Sequence, residues 1–220
     1  MDPRELVQER KAIAFTKTDA IASVTLGLIM GVLIPFILSR IGKSVPMQNY
    51  LIIAFPLASL IGLYIASLLS KVVSVLYQVG KFGIVGFTNF VVDTGVFHVI
   101  IALSGSAQSQ HLFSVFSVPL TTWTFFKILS FIGANAHSFF WNKFWTFGQK
   151  EVKTAKKEYA GFLVISVGGL LINSGAFSVA FALRPEGASE ALWGTIGVAV
   201  GSIIGLLWNF VGYKFFVFKK

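Results

Sequence analysis

Six stretches of this chain run for roughly the length of a bilayer crossing with almost no charge: 20–38, 50–69, 82–103, 123–140, 162–183 and 192–210. About 20 mainly apolar residues wound as a helix cross a hydrocarbon core about 30 Å thick. In lipid the backbone must satisfy its own N–H and C=O groups, so each stretch reads as a helix. The expected fold class is therefore all-α, a polytopic membrane bundle of six transmembrane helices. Composition agrees. Only 12% of the 220 residues are charged, about half the share of a soluble domain. Gly27 and Gly31 form a small-xxx-small pair in the first span, which allows close helix approach. Pro35 and Pro56 lie toward the loop shared by the first two spans and favour bends there. Residues 1–19 mix both signs of charge and do not read as a cleaved signal.

The net charge of +9 would point to nucleic acid in a soluble domain. Here the basic residues sit between apolar spans, so they are read as orienting the chain and meeting anionic membrane lipids, with no nucleic-acid partner. Arg4, Arg10, Lys11, Lys17, Lys71, Lys81, Lys143, Lys150, Lys153, Lys156, Lys157, Lys214, Lys219 and Lys220 fall on one side. Arg40, Lys43 and Arg184 fall on the other. The positive-inside rule then puts both termini in the cytoplasm. There is no Cys, and His98, His111 and His137 are scattered, so no metal site or cofactor is expected. With no nucleophile elbow, phosphate-binding loop or carboxylate pair, an enzyme is not expected either.

The chain repeats itself. KFGIVGFTNFVVDTGVFHVIIAL at 81–103 returns as GFLVISVGGLLINSGAFSVAFAL at 161–183, with Phe82, Gly95, Phe97 and Val99 recurring as Phe162, Gly175, Phe177 and Val179. SFFWNKFWTF at 138–147 returns as NFVGYKFFVF at 209–218. The offsets differ by nine residues, absorbed in the longer, nearly uncharged loop 104–122. The domains read as 1–80, an N-terminal segment plus an added hairpin, and 81–220, two hairpin copies (81–147 and 161–218). Both copies start on the same side of the membrane, which makes the repeat parallel.

Polar groups inside spans usually face protein or a water-filled cavity. Asn89 and Asp93 are four apart and share a helix face. Asn173 takes the place of Asp93 in the second copy. Lys127, Asn135, Ser138 and Asn142 form a stripe on the fourth span, and Asn209 and Tyr213 extend one on the sixth. Asp93 reads either as a substrate or proton site or as an interhelical clamp. Lys127 is placed nearer the outer side, so that a direct pair with Asp93 would need side-chain reach or water to bridge the depth. His137 reads as interfacial packing. Lys143 and Lys214 follow their spans into the interface among aromatics, where they either anchor helix ends or bind one anionic phosphate from both sides. The run Gly197, Gly201, Gly205 is a close-packing face, within the fold or between subunits.

Together KFGIVGFTNFVVDTGVF, WNKFWTF, GFLVISVGGLLINSGAF and WNFVGYKFFVF resemble the GtrA-like family of small membrane proteins. Its opening F-x-x-V-G-x-x-N falls on Phe82, Val85, Gly86 and Asn89. Its helix-end motif falls on Ser138, Phe139, Asn142, Lys143, Trp145 and Phe147, and again on Asn209, Phe210, Lys214, Phe216 and Phe218. Ser138 and Tyr213 stand where the motif has Asn, and the N-terminal hairpin is an addition. The resemblance implies translocation of polyprenyl-phosphate-linked monosaccharides across the cytoplasmic membrane of a prokaryote, for glycosylation of surface polysaccharide. Lys143 and Lys214, with Asn142 and Tyr213, would then meet the phosphate. Asn89, Asp93, Lys127, Asn135, Ser138, Asn173 and Asn209 would line the sugar's polar path. A non-transporting partner of a membrane glycosyltransferase and a small secondary transporter are the alternatives. A homodimer is expected, because four short helices enclose little volume.

Overall fold

The structure, a computed structural model, describes residues 15–105, 109–115 and 118–218. Arg4, Arg10, Lys11, Lys219 and Lys220 of the charge tally lie outside the described residues. Among the described residues there are six long α-helices: α1 Lys17–Arg40, α2 Leu51–Leu69, α3 Val75–Ser104, α4 Thr122–Trp141, α5 Ala155–Ala182 and α6 Glu190–Gly212. Their order matches the six apolar stretches. Five segments are long and apolar enough to cross a membrane: Lys17–Arg40, Gln48–Leu69, Val75–Ser104, Ala155–Ala182 and Ile196–Val217. Six helices stand where six crossings were expected, and the one outside these five is α4. That helix forms, but Lys127, Ser130, Asn135, His137 and Ser138 dilute its apolar character.

The chain divides into two compact units, Met1–Thr146 and Phe147–Lys220. The first groups the N-terminal hairpin with the first repeat copy. In it α1 opens with a capping box: the Asp19 amide donates to Thr16 Oγ1 at 3.2 Å, and the Thr16 amide donates back to Asp19 Oδ2 at 3.1 Å. Two orphan amides at the helix start are thereby satisfied. The Gly27 and Gly31 face lies on α2. A Cβ on Gly31 would come within 2.6 Å of the Leu51 carbonyl oxygen, and Gly27 lies against Pro56. Rising numbers on α1 meet falling numbers on α2, so the pair is antiparallel. Pro35 and Pro56 both sit inside their helices.

α1 and α2 also pack on α3. The core of this unit gathers Leu26, Leu63, Tyr77, Val85 and Trp145, from α1, α2, α3 and the segment after α4. α3 ends at Gly105, whose φ of +64° is a left-handed cap that glycine adopts freely. The loop 104–122 is not wholly irregular. Strands β1 His111–Val115 and β2 Val118–Thr121 pair antiparallel, with His111 opposite Thr121. This hairpin was absent from the all-α expectation. β2 runs directly into α4, and Thr121 serves as its N-cap through Thr124.

The second unit is the hairpin of α5 and α6. A Cβ on Gly201 would come within 2.6 Å of the Asn173 carbonyl oxygen, and one on Gly205 within 3.0 Å of Asn173 Cβ. Gly197 faces Phe177. The glycine run is thus a packing face within the fold.

Both repeat copies end alike. α4 continues into a five-residue π-helical turn, π1, Asn142–Thr146, and α6 into another, π2, Tyr213–Val217. Each limit of π2 lies 71 residues beyond that of π1, the offset at which the two motif copies align. In π2 the widened turn is closed by the Phe218 amide donating to the Tyr213 carbonyl at 2.8 Å. π-turns inside α-helices are found frequently at functional sites.

Candidate functional site

Asp93 on α3 has a direct partner. Its Oδ2 pairs with Lys127 Nζ on α4, and its Oδ1 accepts from Ser130 Oγ at 2.7 Å. The direct pair is made by the reach of the Lys127 side chain, one of the two ways expected for bridging the depth between them. The register of the antiparallel hairpin sets residue 93 opposite 127, and Phe97 opposite Trp123, whose rings meet edge to face at 6.1 Å. The Lys127 side chain keeps 54% of its surface exposed and that of Asp93 19%. This is an ion pair with one open side.

Ser130 was not singled out in the sequence. The signal was available, since it lies three residues from Lys127 on the stripe that carries Asn135 and Ser138. Its hydroxyl is fully buried.

The inner part of the stripe is buried. Asn135, Ser138 and Asn142 are all closed off, and Asn142 Nδ2 donates to the Ser138 carbonyl at 2.9 Å and contacts Ser138 Oγ at 3.2 Å. Ser138 at the motif's first Asn position thus still supplies an oxygen to Asn142. The Oδ1 atoms of Asn142 and of Asn89 are buried and accept no hydrogen bond from the described residues. Both ring nitrogens of His137 are buried without a hydrogen-bond partner, and the ring packs edge-on to Trp141.

Lys143, which the sequence puts in the interface among aromatics, is completely buried, with its ammonium 5.8 Å from the Phe144 ring. Lys214 is half-buried, 5.7 Å from the Phe215 ring and 5.5 Å from that of Phe210. Each lysine therefore sits over the aromatic ring that follows it in sequence.

In the second unit Tyr213 is buried against Phe162, with ring centroids 4.1 Å apart and near parallel. Its hydroxyl meets Ser166 Oγ at 2.6 Å. Ser166 gives its own proton to the Phe162 carbonyl at 2.8 Å, so Tyr213 is the donor. Asn173 is seated on the glycine face of α6, and Asn209 lies against Gly169.

A second polar cluster falls outside every sequence-predicted site. Asp19 is buried and pairs with Lys81 Nζ at 2.5 Å. The same oxygen, Oδ1, accepts from Trp145 Nε1 at 2.9 Å. The Lys81 ammonium lies over the rings of Tyr77 and Trp145, at 4.6 and 5.5 Å.

Two hairpins that end in matching π-turns, each carrying a lysine over an aromatic, are the local geometry of the repeated motif. The family model for the GtrA/DPMS transmembrane domain matches residues 81–218. The chain belongs to the GtrA/DPMS transmembrane-domain family. Comparison with curated proteins and with solved structures returns no match. The GtrA/DPMS segment runs from Lys81 within α3 to just past π2, so the Asp93–Lys127 pair and both lysine turns lie inside it, while α1, α2 and Asp19 lie before it. Five apolar helices and this membership make it a multi-pass membrane protein, and the family is one linked to polyprenyl-phosphate sugars and membrane lipids.

Proposed function

We propose that the protein translocates a polyprenyl-phosphate-linked monosaccharide across the cytoplasmic membrane of a prokaryotic cell, with both termini cytoplasmic, to supply glycosylation of surface polysaccharide. Family membership supports the substrate class. The observation that carries the reading further is the Asp93–Lys127–Ser130 cluster, a charged donor and acceptor with an open side on the α3–α4 hairpin. Sugar hydroxyls both donate and accept, so such a pair can exchange its partner for a hexose without leaving either charge unsatisfied. In this reading Asn89, Asn135, Ser138, Asn173 and Asn209 complete the polar path. Lys143, Lys214, Asn142 and Tyr213 serve the phosphate at the two hairpin ends. Lys143 is buried and held on the π1 turn. The two hairpin copies act as a parallel repeat, and a homodimer is the expected assembly.

Two other readings stand beside it. A small secondary transporter is motivated by Asp93, whose carboxylate is held by Lys127 and Ser130. A non-transporting partner of a membrane glycosyltransferase is motivated by small size and the glycine packing face, of which Gly197, Gly201 and Gly205 are occupied within their own hairpin.

The test is reconstitution with a polyprenyl-phosphate hexose in liposomes. Sugar reaching the outer leaflet is read with membrane-impermeant periodate, which cleaves its exposed diols. The wild-type protein is expected to make the inner-leaflet sugar oxidisable. The Lys143→Ala, Lys214→Ala double variant is expected to slow this at least roughly tenfold, the worth of one charge-assisted hydrogen bond. An unchanged rate removes the lysines from phosphate binding, and no exchange by the wild type removes the flippase reading.

A further inference from the structure

We propose that Asp19 is a positioning residue for π1. The N-terminal helix, which lies before the GtrA/DPMS segment, supplies the carboxylate that fixes Trp145 and thereby the turn carrying Asn142 and Lys143.

The carboxylate is used to capacity. Oδ2 accepts from the Thr16 amide at 3.1 Å and the Thr16 hydroxyl at 2.6 Å. Oδ1 accepts from Lys81 at 2.5 Å and from Trp145 at 2.9 Å. Four donors match the roughly four lone-pair sites of a carboxylate. An ordinary capping residue needs only the first two contacts and sits in water. Asp19 is 3% exposed, and its second oxygen faces away from its own helix start, toward α3 and π1. Burial of a charge is tolerated when it is paired and hydrogen-bonded, and Lys81 meets that condition.

The consequence for π1 follows from its shape. A π-turn holds one more residue per hydrogen-bonded loop than an α-helix and is intrinsically the less stable winding. It persists where side chains fix it. In π1 the Trp145 indole N–H is held by Asp19, and the Thr146 carbonyl accepts from Gln78 Nε2 at 3.3 Å. The indole bond is buried and charge-assisted, so it is the stronger of these two ties.

The chain has no cysteine, so a nitroxide attached to a Phe144→Cys variant of the full-length protein in lipid vesicles reports the motion of π1 alone. Asp19→Asn and Trp145→Phe should each raise the nitroxide's mobility. Lys81→Met, which leaves the indole bond in place, should raise it less. Spectra of Asp19→Asn and Trp145→Phe that match the unsubstituted background overturn the proposal. Should Asp19→Asn fail to fold, Trp145→Phe decides alone, since it keeps an aromatic ring at the site while removing the indole N–H donor with the pyrrole part of the indole.

The effect on transport rests on the flippase reading. There Trp145→Phe should lower the flipping rate roughly tenfold at a temperature where the variant is still folded. A loosened turn with full flipping rejects a positioning role in transport and leaves the flippase reading intact. A wild type that does not flip rejects that reading, and the spectra still decide the Asp19 contact.

Discussion

Asp93 and Asn173 occupy the same place in the two copies, and the folded chain treats them differently. Asp93 takes Lys127 and Ser130 as partners, whereas Asn173 lies against Gly201 and Gly205. The carboxylate is therefore dispensable for closing a hairpin, which makes its loss a clean probe. Asp93→Asn should cost about 1 kcal/mol or less in stability, because Lys127 stays largely exposed and can find other partners. Flipping should nonetheless slow. Thermal midpoint and flipping rate measured on one preparation check this, and a rate equal to wild type excludes Asp93 from the path. Asp93 was legible in the sequence as an acid inside an apolar span, and Lys127 as a base on a polar stripe. Their pairing was not, because register between two helices depends on where the connecting loop delivers the second one. Here a two-stranded hairpin and the Thr121 cap set that point. The burial of Lys143 was hidden for a similar reason: an aromatic-flanked lysine reads as an interfacial anchor whether or not other side chains close over it.

Helices were legible because apolar runs of bilayer length have no other way to satisfy their backbones. So were the glycine faces, since four-residue spacing keeps small residues on one side. Gly31→Ala should destabilise the N-terminal hairpin by about 1–3 kcal/mol, because its Cβ would meet the backbone of Leu51 and Ile52, which cannot swing aside. Gly133→Ala, with nothing within 4 Å of the added Cβ, should be neutral or stabilising by up to about 1 kcal/mol. Unfolding in detergent separates the two, and equal midpoints would show that the α1–α2 contact is looser than described. The π-turns escaped the sequence because a single widened turn leaves no periodic signature. Their recurrence at one offset is a structural echo of the repeat that residue identities alone did not announce.

The topology turns on α4, the one long helix outside the five apolar enough to cross a membrane. If it spans, Leu112 in β1 and Val152 after π1, both exposed, face opposite sides. Single-cysteine variants at these positions in intact cells, treated with an impermeant maleimide, should label at 112 and be protected at 152. Labelling at both would mean that α4 does not cross. The sequence favoured crossing through its charge asymmetry, while the polar side chains that weaken the apolar signal are those that pair and pack with α3 and with one another.

α3 carries a different consequence. Its 30 residues extend about 45 Å at 1.5 Å per residue. Even at a tilt of about 40°, the steep end of what membrane helices adopt, it stands about 34 Å tall against a hydrocarbon slab of about 30 Å. Hydrophobic mismatch is therefore built into the chain. A thinner bilayer pushes more of α3 out among the headgroups, and a thicker one draws it upright. The end that begins at Val75 holds Tyr77, Gln78 and Lys81, which touch the Asp19 cluster and π1. Membrane thickness and the lysine-bearing turn are thus joined along one helix.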